Sequence, residues 1–324
     1  MTILVTGGCG FIGSCFILRQ ILNFNKRVVN LDNITYAANP KNLEQLNHSN
    51  KYYFVKGDIA DEPLISQILK EFKINTIVNF AAETHVDQSI KQPDKFVHTN
   101  VLGVLSLLNA SLKLYKTESD IKFINISTDE VYGSLALDSN KKFSSNNKYY
   151  PNSPYSASKA SGDHLVRAWH QTYGLPVITT QCSNNFGPRQ HEEKLIPNTI
   201  KKAISGLSIP VYGNGKNVRD WIYVEDHCYG IELAISKGKF GETYCFGGEN
   251  EINNIDLVKL ICDLLDEIRP KETSYRNQIT FVSDRQGHDL RYAVDNNKAE
   301  QKLGFVIKRQ FKEKLAETAQ WYLS

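Results

Sequence analysis

Ile3-Leu4-Val5-Thr6-Gly7-Gly8-Cys9-Gly10-Phe11-Ile12-Gly13 sets three strand formers before a glycine-rich turn and the start of an apolar helical run. The glycines parse as Gly8-x-Gly10-x-x-Gly13 or as Gly7-x-x-Gly10-x-x-Gly13. In either parse the missing side chains let the backbone turn tightly, approach a pyrophosphate and pack a helix onto a sheet. The helix N-terminus then presents free N–H groups and a partial positive charge to the phosphates. Glycine-rich turns are common, so context decides. A second β-like run ends at Asp32, about twenty residues on, where the dinucleotide fingerprint needs an acid.

Outward from this loop, short β-branched and aromatic runs alternate with longer amphipathic ones, as in successive βαβ units. The pattern predicts strands over residues 3–5, 27–31, 53–56, 76–80, 122–127 and 177–180, and helices over 12–22, 63–72, 95–116 and 155–173. Runs such as Thr76-Ile77-Val78-Asn79-Phe80 lack clean alternation, which suits parallel strands buried on both faces. The fold class is α/β: a Rossmann-type, doubly wound parallel sheet with a smaller, discontinuous α/β lobe for the substrate. Residues 1–182 read as the cofactor domain and 183–324 mainly as the lobe, with roughly 221–247 returning to the main sheet through a strand near 242–246. Beyond Cys182 the pattern loosens into loops rich in Gly, Asn and Pro, with helices expected over 195–205, 224–236 and 255–268. Residues 141–150 read as a solvated loop or, more sharply, a flap over the site.

The 324-residue chain is long enough for this core, and its net charge of +3 is spread along it, so neither nucleic acid nor a membrane surface is an expected partner. No apolar run approaches the ~20 residues of a membrane span, and the N-terminus does not read as a signal peptide. Six dispersed cysteines without a Cys-x-x-Cys pair suggest reduced thiols and a cytoplasmic protein, and the reading calls for no metal. Nothing supports a redox role for Cys9.

A carboxylate at Asp32 accepts hydrogen bonds from both adenosine ribose hydroxyls and repels a 2′-phosphate, so NAD is favoured over NADP. Asp58-Ile59 and Phe80-Ala81-Ala82 close the next two strands, at the ends where open α/β sheets bind ligands. Tyr155 and Lys159, four apart, share one helix face. A phenol is a poor base at neutral pH, and a nearby ammonium together with a positive nicotinamide ring favours the phenolate. Ser127-Thr128-Asp129-Glu130-Val131-Tyr132-Gly133 adds two adjacent carboxylates that hydride transfer alone does not need.

These residues resemble the extended short-chain dehydrogenase/reductases, and within them the nucleotide-sugar 4,6-dehydratases of the dTDP-glucose type. The likeness runs nearly end to end, through Asp32-Asn33-Ile34-Thr35-Tyr36, Ala81-Ala82-Glu83-Thr84-His85-Val86-Asp87, Asn184-Asn185-Phe186-Gly187-Pro188, Lys194-Leu195-Ile196-Pro197, Asn217-Val218-Arg219-Asp220-Trp221 and Asp284-Arg285-Gln286-Gly287-His288-Asp289. It implies oxidation of the hexose at C4, removal of the C5 proton by Glu130, protonation of the departing O6 by Asp129, a hydrogen bond from Thr128 to O4, and return of hydride to C6. It implies an NAD site of Gly7, Gly10, Phe11, Ile12, Gly13, Asp32, Asn33, Thr35, Tyr36, Asp58, Ile59, Phe80, Ala81, Ala82, Thr84, Thr99, Tyr155, Lys159 and Asn185. The substrate contacts it implies are Thr84, Thr128, Asn184, Lys194, Leu195, Tyr212, Arg219, Asn254 and His288. Asn254 also reads as a helix cap and His288 as an ordinary loop histidine. A homodimer through residues 95–116 and 155–173 is likewise implied. Gln88 and Ala38 depart from the family pattern, which more often has Arg and Gly there; Gln88 puts any charge interaction around its loop in question.

A 4-epimerase or decarboxylase on the same scaffold shares NAD, Tyr155 and Lys159 but has no use for Asp129 and Glu130. A non-catalytic nucleotide-binding protein needs none of the five. Thymidine and uridine differ by one methyl, worth only ~1–3 kcal/mol of discrimination, and the sequence leaves that choice open.

Overall fold

The computed structural model describes residues 1–117 and 120–324. The glycine-loop reading carries through: β1 (Thr2–Thr6) runs into α1 (Phe11–Leu22), which leads to β2 (Arg27–Asp32) and β3 (Tyr52–Lys56). Then come α2 (Glu62–Glu71), β4 (Thr76–Asn79), α3 (Val86–Lys91), α4 (Pro93–Val97), α5 (Val104–Tyr115) and β5 (Lys122–Thr128). α6 (Pro154–Tyr173) and β6 (Val177–Cys182) complete the first half. A Ser153–Ser156 capping box with Pro154 in the first turn starts α6, and left-handed Gly174 ends it.

The strands lie in the spatial order β3-β2-β1-β4-β5-β6 and are mutually parallel. Alternation along β1 builds two faces. Ile3 and Val5 join Phe16 and Ile17 of α1, while Leu4 joins Ile65 of α2, Leu107 of α5 and Val166 of α6. Helices on both faces explain the unbroken apolar strand runs.

After β6 the chain forms β7 (Asn184–Phe186), α7 (Leu195–Ile204), β8 (Ile209–Tyr212), β9 (Val218–Tyr223), α8 (Val224–Lys237) and β10 (Thr243–Phe246). β10 pairs parallel with β6 as a seventh strand of the main sheet. The remaining elements are β11 (Glu251–Asn253), α9 (Asn254–Ile268), β12 (Ile279–Val282), α10 (Asn297–Leu303) and α11 (Phe311–Leu323). β11-β9-β7 form a small sheet and β12-β8 a two-stranded one.

Two details differ from the sequence-based expectation. The helix expected over 95–116 is interrupted by a π-helical segment, His98–Gly103, where Asn100 donates to the Glu83 carbonyl and to the Ser158 hydroxyl. The region after Cys182, expected as loops and helices, also holds strands of three to six residues, too short to show a period. Residues 141–150 form no regular element and are mostly exposed, as expected of a solvated loop, with buried Phe143 and a bond from Tyr149 to Asp163 anchoring it. None of its residues lines the cleft described next.

Candidate active site

The carboxyl ends of the parallel strands open onto one cleft. Every residue expected to touch cofactor or substrate lines it, except Tyr36. The Tyr36 ring lies edge-on to His191 and its hydroxyl donates to Glu193, and both of those residues line the cleft.

In the glycine loop, Gly7 is left-handed (φ +68°), and a Cβ there would sit 2.7 Å from the Ala81 backbone. A Cβ at Gly13 would sit 2.5 Å from the Gly7 carbonyl. No side chain caps the N-terminus of α1, leaving that end to an anion. Asp32 accepts from Cys9 N and Ile34 N, both at 2.8 Å, which turns its carboxylate across the loop mouth. Asp58 accepts from Ala60 N at 2.8 Å and lies 3.3 Å from His98 Nε2. A bare helix end, a bent loop with no side chains in the way and an acid at the second strand end suit a dinucleotide. Cys9 is buried beneath the loop, and burial with the charge of Asp32 pushes its thiol up to about 12, which removes the reactive thiolate.

β5 delivers the acid/base trio. Thr128 accepts from Glu130 N at 3.3 Å and starts a single 3-10 turn, Asp129–Tyr132. Asp129 is 2% exposed, and its Oδ2 has no partner among the described residues. Burial, then the charges of Glu130 and Asp220, hold its carboxyl well above the usual range, with Arg219 opposing. Glu130 is also raised by burial, against Lys194 and Arg219. Two neighbouring carboxyls therefore differ in environment, with the deeper one favouring its proton.

Tyr155 and Lys159 stand one turn apart on α6, both buried. The expected phenolate rests on Lys159 and a positive nicotinamide ring together, and only the first of these belongs to the protein. Burial and then Glu130 hold Tyr155 well above its ordinary value, a hydrogen bond with Thr128 opposes them, and the Lys159 ammonium is committed to the Ile126 carbonyl at 2.7 Å.

On the lobe side, Lys194 Nζ donates to the Thr84 carbonyl at 3.0 Å, joining the two walls of the cleft. Arg219 is 7% exposed, donates to the carbonyls of Val218 and Asp289, and lies 4.2 Å over the Tyr292 ring. The cap of α9 is Asn253, not Asn254; the Asn254 Oδ1 is buried on the cleft wall with no partner among the described residues. His288 contacts Asp284 at 2.7 Å and meets Tyr212 edge-on. Asn184 stands opposite Trp221 in the small sheet, and Leu195 opens α7.

Sequence reasoning left several cleft residues without a role. Arg285 grips Asp87 with a two-pronged fork (2.6 and 3.0 Å) and lies 5.2 Å from the Tyr212 ring, so the charge pair of that loop uses residue 87 and not Gln88. Glu193 gathers Tyr36, His85 and Lys194. Behind Asn185 lies His227, wholly buried. Asn185 spends its amide hydrogens on Ser183 O and Cys182 Sγ, so its Oδ1 accepts from His227 Nδ1–H at 2.9 Å. The quoted motifs contained Arg285 and Asp87, but their pairing spans 198 residues and leaves no local signal.

The sequence profile of the GDP-mannose 4,6 dehydratase family matches residues 4–318. The dTDP-glucose 4,6-dehydratase of Xanthomonas campestris is 50% identical over 100% of this chain and 93% of its own. The dTDP-glucose 4,6-dehydratase of Bacillus anthracis, solved in complex with NAD, is 42% identical with a TM-score of 0.89, covering 100% of this chain and 96% of its own. The corresponding Streptomyces venezuelae enzyme, solved with NAD bound, is 41% identical with a TM-score of 0.91, covering 100% and 97%. With this likeness from end to end, the chain belongs to the dTDP-glucose 4,6-dehydratase family of extended short-chain dehydrogenase/reductases.

Proposed function

We propose that the chain is an NAD-dependent hydro-lyase that converts an NDP-glucose into NDP-4-keto-6-deoxyglucose. The first substrate to try is dTDP-glucose, for which the relatives are named. One observation carries the reading: a buried carboxyl biased toward its proton, Asp129, adjoins a second carboxyl, Glu130, in the same cleft as Tyr155. Bound NAD, positively charged at its ring, supplies the hydride acceptor for C4 and the donor for C6.

Tyr155 takes the O4 proton while Thr128 holds that oxygen. The resulting ketone acidifies C5–H, and Glu130 removes that proton. Asp129 gives its proton to O6, which leaves as water, and Glu130 returns a proton to C5 as C6 is reduced. Lys159 holds the nicotinamide ribose, and Asp32 and Asp58 hold the adenosine end beside Phe11, Ile12, Asn33, Thr35, Ile59 and Thr99. Arg219 and Lys194 face the substrate diphosphate, Tyr212 its base, and Asn184, Asn254 and His288 complete the pocket. Residues 1–182 carry the cofactor half and 183–324 mainly the substrate lobe, with α8 and β10 returning to the main sheet. The active form is a homodimer through residues 95–116 and 155–173, where Val97 and Leu102 are exposed apolar side chains. Six unpaired cysteines accord with the reducing cytoplasm; among the described residues no helix is long and apolar enough to cross a membrane.

The test is turnover of dTDP-glucose carrying deuterium at C4, followed by mass spectrometry beside UDP-glucose. Loss of water with the label in the new methyl group is expected. Label lost to the medium, or epimerised sugar without loss of water, refutes the reading.

A further inference from the structure

Asp163 lies four residues beyond Lys159 on α6 and is 4% exposed. Its Oδ1 accepts from Asn125 Nδ2 at 2.9 Å, and its Oδ2 accepts from the Ser127 hydroxyl at 2.7 Å. Between these two residues, Lys159 Nζ donates to the Ile126 carbonyl at 2.7 Å. α6 thus grips three consecutive residues of β5, and the next three are Thr128, Asp129 and Glu130. Tyr155 sits one turn earlier on the same helix.

The donors around this carboxylate are all committed. Gln181 Nε2 donates to the Tyr149 hydroxyl at 2.7 Å and to Asp163 Oδ2 at 3.3 Å, and that hydroxyl donates to Asp163 Oδ2 at 3.0 Å. On the other side Asn79 Nδ2 donates to Asn125 Oδ1 at 3.0 Å, and the Thr6 hydroxyl donates to Asn79 Oδ1 at 2.6 Å. Thr6 precedes the glycine loop, so the relay runs from cofactor loop to acid/base helix through buried side chains. An amide at position 163 would set two hydrogens against either Asn125 or the Ser127–Tyr149 pair, and buried groups left unpaired are costly.

We propose that Asp163 is a positioning residue that locks the helix bearing Tyr155 and Lys159 to the strand delivering Thr128, Asp129 and Glu130, so that the oxidising and the dehydrating groups meet one sugar ring. The proposal rests on the dehydratase reading, and wild-type turnover of dTDP-glucose tests that reading separately.

The variants are Asp163→Asn, the swap Asn125→Asp with Asp163→Asn, and Ser127→Ala. In the swap, the carboxylate now at position 125 accepts from Asn79 and from the new amide at 163, whose carbonyl oxygen takes the Ser127 and Tyr149 bonds. Asp163→Asn should lower kcat by ~10²-fold, the scale of a misplacement near 1 Å, while KM and NAD affinity stay close to wild type. The swap should recover most of that loss. An unchanged kcat in Asp163→Asn, or a swap no better than the single variant, overturns the proposal. If Asp163→Asn does not fold, Ser127→Ala decides: a fall in kcat without a change in KM supports the lock, and an unchanged kcat refutes it. Absence of wild-type dehydration is a different failure and refutes the dehydratase reading.

Discussion

His227 should make the protein acid-labile in a way one substitution removes. It is wholly buried, its Nδ1–H is given to Asn185, and its Nε2 has no partner among the described residues. A second proton would go onto that unpartnered, desolvated nitrogen, and burial pushes the pKa from 6.5 down to about 3. The folded value lies below the unfolded one, so between them the unfolded chain binds more protons. The stabilisation is therefore present above 6.5 and lost as pH falls toward 3. At pH 5, about 1.5 units below the unfolded value, the loss is roughly 2 kcal/mol. For a chain of this size that is about 4 °C in Tm. Asp220, raised by burial to about 6, acts oppositely: its contribution is full below 3.8 and lost as pH rises through 6. A difference measurement isolates the histidine. Thermal melts of wild type and His227→Asn, whose amide can still donate to Asn185, should be recorded from about pH 7.5 to about pH 5. The variant starts lower because it leaves a cavity, but its Tm should fall about 4 °C less over that interval. Parallel curves would refute the assignment of a neutral, proton-starved imidazole.

Glu130→Gln should abolish exchange of the C5 proton with solvent while reduced nicotinamide still forms on mixing with substrate; Asp129→Asn should keep that exchange and lose product formation by ~10²–10⁴-fold, as for a missing general acid. Asp220→Asn removes a like charge that raises Asp129, so the alkaline limb of the kcat–pH profile should move to lower pH; a limb that stays put counts against Asp129 as the acid. Gly7→Ala meets the Ala81 backbone in a left-handed conformation costing ~1–2 kcal/mol before any clash, so calorimetry should show NAD affinity down by ~10-fold or more. Arg285→Lys keeps the charge but loses the fork to Asp87, and should raise KM for NDP-glucose by ~10-fold with a smaller effect on kcat.

What was legible in the chain was whatever chemistry is local. A strand, a glycine turn and an acid at the next strand end occupy some thirty contiguous residues, and Tyr155–Lys159 is one helical turn. The lobe strands were not legible, because Ile209–Tyr212 or Glu251–Asn253 is too short to display alternation. Asn253 and Asn254 are both suitable caps on paper; only the backbone decides that the first one caps and the second faces the cleft. The partners of Tyr36, Glu193 and His191, lie more than 150 residues away in the chain, so its contacts left no local signal. The four-residue spacing of Tyr155 and Lys159 fixes their shared helix face, but the bond from Lys159 to the Ile126 carbonyl spans 33 residues and leaves no local signal.

The seventh strand of the main sheet has a consequence for biogenesis. Val177–Cys182 is buried along its whole length, and its outer edge is closed by the late-synthesised Gly241–Phe246. On the ribosome, that edge stays open while the intervening lobe segment is synthesised, an unsatisfied row of backbone groups beside an apolar surface. Long-range parallel pairing of this kind is slow to form, and its open edge is exposed to self-association meanwhile. Slower elongation before residue 246 should therefore favour inclusion bodies, and a chain truncated ahead of Thr243 should aggregate instead of yielding a free-standing dinucleotide module.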